Sequence, residues 1–234
     1  MVEFPQDLNQ QLRRIYQQRQ SISWTHPRTL VLIPFLTSYL NWNCLLEFGA
    51  WLGAVPIMLK DIELTMGLNH MNQFILIETF EDHEGEIINA DGLRQHIERN
   101  IQSVDSKIEI YKSVLDMPEH RLDVVHFDSV KWQTELVEQF KDIQQYTHTN
   151  TMYVFDDYIA EWPDVIYCVD RIRNEYQLEV ISTMGPKIFL GSPELKRQVL
   201  EIMEQHPEVS PRIFNIRETI AHGPVVSSGP DLMI

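Results

Sequence analysis

The last two predicted strands of the chain constrain its fold more than any other feature. Residues 179–183 and 187–190 are apolar, strand-like runs joined only by Met184-Gly185-Pro186. A parallel pair needs a crossover of about a dozen residues, so these two strands must form an antiparallel hairpin. The earlier segments alternate between strands and helices, which predicts a parallel sheet covered on both faces. We therefore expect a doubly wound α/β protein whose mostly parallel sheet ends in an antiparallel hairpin.

Strand-like and helical runs alternate through the rest of the chain and set its expected organisation. Five apolar runs bring the predicted sheet to seven strands: Cys44–Phe48, 74–77, 108–111, Val124–Phe127 and Met152–Phe155. Helical periodicity lies between them and also over residues 5–20, 27–39 and 194–205. We expect one domain over residues 1–234, made of an N-terminal helical cap (1–40), a core (44–190) and a C-terminal extension (192–234). Two roles stay open for the extension: covering the active site or pairing two copies as a homodimer.

The charge and the cysteines exclude several classes of protein. The chain holds 34 acidic and 19 basic residues, and its net charge is −15 with the basic residues dispersed. Nucleic acid binding needs a basic patch, so we expect no nucleic acid partner. Cys44 and Cys168 lie in apolar runs and indicate reduced, buried thiols. Residues 1–20 lack the apolar core of a signal peptide, and no apolar run reaches the ~20 residues of a membrane span, which favours a cytoplasmic protein without membrane contact.

A loop with two glycines follows the first predicted strand, at the edge of the sheet where such folds bind ligands. It reads Glu47-Phe48-Gly49-Ala50-Trp51-Leu52-Gly53, a G-x-x-x-G spacing. A pyrophosphate is held by G-x-G-x-x-G, whereas S-adenosylmethionine carries no phosphate and is compatible with the looser spacing. Glu78 ends the next strand, where an acid can accept both hydroxyls of a ribose. Alternatively, both glycines serve only the turn and its packing, and Glu78 is a solvated strand end.

Further residues at this edge are assigned to the same cofactor. Glu47 is expected to hold the methionyl ammonium group, directly or through water. The loop and the ends of the second, third and fourth strands supply the other expected contacts: Gly49, Ala50, Gly53, Glu78, Thr79, Ser113, Val114 and Asp128. The predicted cofactor is therefore S-adenosylmethionine.

Three carboxylates follow two later strands. Asp128 comes directly after Val124–Phe127, and Asp156 and Asp157 come directly after Met152–Phe155. We expect all three beside the cofactor, where like charges repel one another unless a cation or protons lie between them. Hard oxygen ligands suit Mg²⁺, or else Mn²⁺ or Ca²⁺. Alternatively, Asp156 and Asp157 form a local turn or cap the next helix.

The glycine loop, Glu78, Asp128-Ser129-Val130-Lys131 and Asp156-Asp157 together resemble the metal-dependent O-methyltransferases of the catechol O-methyltransferase type. The resemblance covers residues 45–190 and implies the Rossmann-like fold of class I S-adenosylmethionine-dependent methyltransferases. It further implies Mg²⁺ on the three aspartates and Lys131 as the general base. By its position alone, Lys131 would instead be a solvated lysine at a helix start.

A second resemblance is to the macrocin O-methyltransferase type, which modifies sugars on natural products. It is carried by Asp156-Asp157-Tyr158 with Trp162 and Val169-Asp170. That type has a further Asp or His just after the first metal acid, where this chain has Val130 and Lys131. The base of the catechol type therefore fits this chain better.

The resulting hypothesis is metal-assisted methyl transfer to a hydroxyl of a small molecule, such as a phenol, a sugar or a natural product. Mg²⁺ would lower the pKa of that hydroxyl, and Lys131 would remove its proton. Trp132, Tyr158 and Trp162 are expected either to wall a planar substrate or to pack in the core. Two other hypotheses are an NAD-dependent oxidoreductase that uses Glu78 for the ribose, and a non-catalytic protein that keeps only the fold.

Overall fold

The computed structural model describes residues 7–23, 25–78, 90–129 and 133–206. Thr79, Lys131, Trp132 and the part of the C-terminal extension beyond residue 206 lie outside these ranges. What we expect of those residues stays a prediction.

Helices and strands mostly alternate along the described chain from the first strand onward. The helices are α1 (Leu8–Arg19), α2 (Leu32–Leu40), α3 (Ala54–Thr65), α4 (Ala90–Ile101), α5 (Gln133–Asp142), α6 (Pro163–Glu175) and α7 (Pro193–Gln205). The strands are β1 (Cys44–Phe48), β2 (Gln73–Ile77), β3 (Lys107–Tyr111), β4 (Val124–Phe127), β5 (Met152–Phe155), β6 (Glu179–Met184) and β7 (Lys187–Gly191). Short 3₁₀ turns lie at Pro27–Thr29, Val114–Asp116 and Gln144–Tyr146. The alternation has two exceptions in the described chain: only a 3₁₀ turn separates β3 from β4, and β7 follows β6 directly.

The strands form one seven-stranded sheet in the order β3-β2-β1-β4-β5-β7-β6. Strands β1 to β5 pair in parallel, and β7 runs antiparallel to both β5 and β6. The predicted α/β fold, with its mostly parallel sheet and closing hairpin, is confirmed. The chain adds β2 and β3 on one side of β1, then β4 and β5 on the other. The strand order therefore reverses between β1 and β4, and a crevice for ligands opens there.

Each face of the sheet has its own apolar core, because successive side chains of a strand point to opposite faces. Leu45 and Val124 pack in one core, together with side chains of α1, α2, α3 and α7. Their neighbours Leu46 and Val125 pack in the other core, with side chains of α5 and α6. Burial on both faces explains why the central strands read as continuous apolar runs.

Three phenylalanines stack at the carboxyl ends of the central strands. The rings of Phe48 and Phe127 lie 5.1 Å apart at an angle of 11°, and those of Phe127 and Phe155 lie 4.6 Å apart at 4°. Each ring belongs to the last residue of its strand, so the stack holds together the ends of β1, β4 and β5. The next residues along the chain are Gly49, Asp128 and Asp156. The stack therefore sets the spacing of the backbone from which the site residues arise.

The ends of α5 differ from the predicted ones. Periodicity predicts one helix over residues 134–145, whereas α5 ends at Asp142 and a 3₁₀ turn follows at Gln144–Tyr146. Tightening the last turn leaves the same apolar face inward, so the sequence pattern does not distinguish the two forms.

The expectations about thiols and membrane contact can be compared with the described residues. Cys44 and Cys168 are free and buried, as predicted. Burial, with Asp123 nearby, raises the pKa of the Cys44 thiol to about 12. Within the described ranges, no helix combines the length and the apolar character needed to cross a membrane.

Replacing Phe140 by alanine tests how much the core supports the stack. Phe140 is fully buried on α5 and its ring lies 6.1 Å from that of Phe127 and 4.9 Å from that of Tyr153. We expect Phe140→Ala to lower the free energy of unfolding by about 3–5 kcal/mol, measured by urea denaturation. The control Leu64→Ala removes an apolar side chain that is 72% exposed, and should change stability by less than about 0.5 kcal/mol. Equal losses in the two variants would contradict the packing described here.

Candidate active site

A cleft of about 1150 Å³ opens at the carboxyl ends of β1, β2, β4 and β5. Drug-sized ligands occupy pockets of about 300–1,000 Å³, so the cleft has room for a nucleoside cofactor and a second small molecule. Its described wall is built from the segment before α2, the loops after these four strands, one side of α5 and the start of β7. Lining residues from the predicted site are Glu47, Gly49, Ala50, Glu78, Asp128, Asp156 and Asp157.

Gly49 lets two loops touch at the point where the strand order reverses. Its φ is +78°, and a Cβ built on it would lie 2.6 Å from Ser129 Cα and 2.7 Å from the Asp128 carbonyl oxygen. Its amide donates a hydrogen bond of 2.9 Å to the Ile77 carbonyl oxygen. Only glycine fits both the left-handed backbone and this close approach. The loop after β1 is therefore held against β2 and against the loop after β4.

Glu78 joins the end of β2 to the same loop. Its Oε2 accepts a hydrogen bond of 3.1 Å from the Trp51 amide, and the residue is 8% exposed. Trp51 itself has a φ of 44°, which a hydrogen bond at this point helps to hold. Glu78 is therefore a buried acid that orders the loop and also lines the cleft.

Three other residues assigned to the cofactor have structural roles here. Gly53 precedes α3, and a Cβ on it would lie 2.9 Å from Ile101 Cγ2, so this glycine allows α3 to pack against α4. The Ser113 hydroxyl accepts a hydrogen bond from the Leu115 amide, and Val114 is buried in the core. None of the three belongs to the described lining of the cleft. Their contact with a cofactor stays a prediction.

A chain of buried polar contacts crosses the site along the wall of the cleft. Glu47 Oε1 lies 3.1 Å from His126 Nδ1, and His126 Nε2 lies 3.0 Å from Lys187 Nζ. Lys187 Nζ also donates to Asp156 Oδ2. The side chains of Glu47, His126 and Lys187 are exposed by 2%, 0% and 0%. The contacts link β1, β4, β7 and β5, which are adjacent in the sheet.

These contacts define which ring nitrogen of His126 carries the proton. An ammonium group can only donate hydrogen bonds, so Nε2 of His126 must accept from Lys187. The proton then lies on Nδ1, which donates to Glu47 Oε1. Burial lowers the pKa of His126 to about 3, with the charge of Lys187 adding to the effect. His126 is therefore neutral and fully bonded, as expected of a core histidine.

The acids around this chain have different charge states. Burial raises the pKa of Glu47 well above its ordinary value, and Asp128 adds to the shift. Burial, followed by the charge of Asp156, raises the pKa of Asp128 to about 7. Burial alone would also raise the pKa of Asp156, but the Lys187 ammonium outweighs it and the pKa of Asp156 is lowered. Asp156 is thus the ionised partner of Lys187.

The donor atoms in this arrangement do not favour a divalent cation, because the Lys187 ammonium already lies against Asp156. Asp156 Oδ2 accepts from Lys187, and Asp156 Oδ1 accepts from the Asp157 amide at 2.9 Å. Glu47, His126 and Asp128 offer ligand atoms within 4.8 Å of one another, yet both nitrogens of His126 already contact Glu47 and Lys187. The Lys187 ammonium would also repel a second cation at Asp156. The metal site of Asp128, Asp156 and Asp157 stays a prediction, and no reaction step is derived through it.

Lys187 is the buried site residue that the sequence did not predict, and the described wall of the cleft also contains four unpredicted titratable residues: His26, Glu135, Glu138 and Asp142. Lys187 is the first residue of β7, and an antiparallel strand begins at the edge where its parallel neighbours end. A lysine opening the apolar strand Lys187–Gly191 was the available signal. The predicted hairpin does not say which of its two strands lies beside β5, so the position of Lys187 next to Asp156 follows only from the strand order.

Two of the aromatic residues assigned to the substrate, Tyr158 and Trp162, are not among the residues that line the described cleft. Tyr158 is 9% exposed and its hydroxyl donates to Asp170 Oδ1 at 3.1 Å. Trp162 precedes α6 and is 40% exposed. For Tyr158 the contacts are those of the core, the second of the two roles that the sequence left open. Trp132, like the proposed base Lys131, lies outside the described residues.

Comparison with known proteins places the fold. No protein-family model matches the chain, and no curated protein matches its sequence. The chain is similar to the O-methyltransferase NovP with a TM-score of 0.55 and 14% identity, over 71% of this chain and 78% of that one. It is similar to an O-methyltransferase from Bacillus cereus in complex with S-adenosylhomocysteine (SAH), with a TM-score of 0.54, 17% identity and coverage of 82% and 93%. A third match is TomG from Streptomyces achromogenes in complex with S-adenosylmethionine (SAM), with a TM-score of 0.51, 14% identity and coverage of 82% and 92%.

The chain has the class I methyltransferase fold. In this methyltransferase fold the crevice between β1 and β4 is the ligand-binding position given by the strand order. The cleft described above lies at that crevice and is lined by the Gly49 loop, Glu78 and Asp128.

The contact at Gly49 can be tested against a second glycine with a similar backbone. Gly67 has a φ of +66°, but a Cβ on it would meet no atom within 4 Å. Gly67→Ala should therefore lower the free energy of unfolding by only about 1–2 kcal/mol, the cost of placing alanine in the left-handed region. Gly49→Ala should lower the free energy of unfolding by about 1–3 kcal/mol more than Gly67→Ala does, because the backbone of Ser129 and Asp128 must move. Urea denaturation measures both, and equal losses would contradict the close approach of the two loops.

Proposed function

We propose that this protein transfers the methyl group of S-adenosylmethionine to a hydroxyl oxygen of a small molecule. The observation that carries the proposal is the charge of the cleft. Its described wall contains more acids than bases: Glu47, Glu78, Asp128, Glu135, Glu138, Asp142, Asp156 and Asp157 against His26 and Lys187. Lys187 neutralises Asp156, and burial raises the pKa of Glu47 and of Asp128. The excess of acid therefore rests on the five other carboxylates. Such a wall favours a cofactor with cationic groups and disfavours a pyrophosphate. The proposal therefore prefers a sulfonium cofactor to NAD.

Glu47 supports the binding of the methionyl part of this cofactor. It lines the cleft, and its Oε2 is buried without a hydrogen-bond partner among the described residues. A buried, unsatisfied carboxyl oxygen is costly, and an ammonium group placed on it would offset that cost. Glu78 supplies a carboxylate for the ribose on the other side of the Gly49 loop. Both acids border the loop: Glu47 begins it, and Glu78 accepts a hydrogen bond from the amide of its Trp51.

The proposed reaction is an in-line displacement at the methyl carbon. A bond forms between the acceptor oxygen and the methyl carbon, and the carbon–sulfur bond breaks to leave S-adenosylhomocysteine. The hydroxyl proton passes to a base, and Lys131 is proposed for this role on the strength of the resemblance to the catechol O-methyltransferase type. Much of the rate would come from holding oxygen, carbon and sulfur in line. The class of acceptor, whether phenol, sugar or natural product, is left to assay.

Cofactor binding tests the proposal most directly. Isothermal titration calorimetry should show binding of S-adenosylmethionine and S-adenosylhomocysteine and no binding of NADH. Glu78→Gln should weaken S-adenosylhomocysteine binding by about 10–100-fold, because a hydrogen bond to a charged group contributes about 1.5–3 kcal/mol. Glu98→Gln is the matched control, since it makes the same change at a side chain that is 50% exposed on α4. NADH binding without S-adenosyl binding would indicate an oxidoreductase, and binding of neither would favour a non-catalytic protein.

Replacing Lys131 tests the proposed base. We expect Lys131→Ala to lower the rate of methyl transfer at neutral pH by about 10²–10⁴-fold, the usual contribution of a general base. Affinity for S-adenosylhomocysteine should not change, because the base acts on the acceptor. The measurement is transfer of a radiolabelled methyl group to a catechol, a phenol and a sugar. Lys107→Ala is the control, since the Lys107 side chain is 63% exposed on β3. Full turnover in Lys131→Ala would rule out this base.

A further inference from the structure

Lys187 is a buried cation that neither the proposed reaction nor the predicted metal site uses. Its side chain is 0% exposed, and it lies at the start of β7 beside the end of β5. An isolated ammonium group is too costly to bury, so its contacts must stabilise its charge. Those contacts are Asp156 Oδ2 and, at 3.0 Å, His126 Nε2. The site therefore contains a positive charge supplied by the chain itself.

The Lys187 ammonium group neutralises carboxylate charge at this edge of the sheet, as a divalent ion would. Carboxylates that crowd at one sheet edge need a cation or protons between them. Lys187 neutralises Asp156 through their direct contact, and its second contact, with His126, holds it in place. Because β7 runs antiparallel to β5, its first residue, Lys187, lies at this edge.

We propose that Lys187 replaces the divalent cation, so that the site holds its acids and carries out methyl transfer without a bound metal. Methyl transfer without a metal rests on the proposed function, whereas the absence of a specific metal site follows from the contacts of Lys187 alone. The lysine acts through Asp156 and His126, and is therefore a positioning residue. The acceptor proton passes to the separate base.

Binding of Mn²⁺ tests this proposal without any methyl acceptor. The probe is the electron paramagnetic resonance signal of free Mn²⁺, titrated with full-length protein at physiological ionic strength to screen weak surface binding. Asp157→Asn is the matched variant, since it removes a predicted metal ligand, and asparagine tolerates the φ of 57° at this position. We expect wild-type protein and Asp157→Asn to bind Mn²⁺ equally weakly. A specific ion in wild-type protein that Asp157→Asn loses would overturn the proposal.

Removing the ammonium should create the metal site. Lys187→Met leaves the carboxylates of Asp128, Asp156 and Asp157 without their cation, and we expect this variant to gain one Mn²⁺ per chain. A folded Lys187→Met that gains no ion would count against the exchange of lysine for metal. If Lys187→Met does not fold, Lys187→Met combined with Asp156→Asn should fold again, because the pair is then removed together. Failure of that rescue would also count against the pairing.

Turnover separates this inference from the proposed function. S-adenosylhomocysteine binding is measured first on the same protein, and its absence would refute the proposed function while leaving the Mn²⁺ result valid. Where the cofactor binds, methyl transfer after exhaustive EDTA treatment should equal that of untreated protein. Loss of turnover in EDTA that Mg²⁺ restores would overturn the metal-free reaction and leave the methyltransferase proposal standing.

Discussion

Lys187 brings a charged group to a position where its side chain is 0% exposed, and the carboxyl edge of the sheet is arranged around it. The ammonium donates to Asp156 on β5 and to His126 on β4, and His126 in turn contacts Glu47 on β1. Breaking such a buried pair by removing one partner is costly, because the other charge is left uncompensated. Polar contacts at the wall of the cleft therefore connect the ends of four adjacent strands. The cleft residues Gly49, Asp128 and Asp157 lie within two residues of these strand ends.

Apolar packing supports the same edge from one face of the sheet. The stacked rings of Phe48, Phe127 and Phe155 lie at the last residues of β1, β4 and β5. The polar chain and the aromatic stack thus hold the same strand ends by two independent means. Catalytic positioning within a fraction of an ångström depends on a supporting layer of this kind. The close approach of Gly49 to Ser129 transmits that order to the loops that line the cleft.

Much of the architecture follows from patterns that are local in the sequence. Three features can each be interpreted from a few neighbouring residues: the apolar run of β1, the glycines after it and the short link between β6 and β7. A three-residue link cannot form a crossover, so the antiparallel hairpin was predictable. The ends of helices were harder to predict, as α5 shows, because a tightened last turn and a regular last turn have the same apolar pattern. The roles of Gly53 and Tyr158 were also hidden, since packing against Ile101 and bonding to Asp170 depend on neighbours that the sequence does not name.

The sequence by itself determined the fold class, the position of the cleft and the five acids at or near the ends of its strands, but not the three acids of α5 that also line it. It did so because strand ends of a parallel sheet meet at one edge, so a residue's place along its strand locates it in space. The tertiary structure decided which charges meet. Only strand order places Lys187 next to Asp156, and only burial makes His126 neutral and raises the pKa of Glu47. The strength of a charge interaction depends on distance and exposure, and both arise when distant segments pack together.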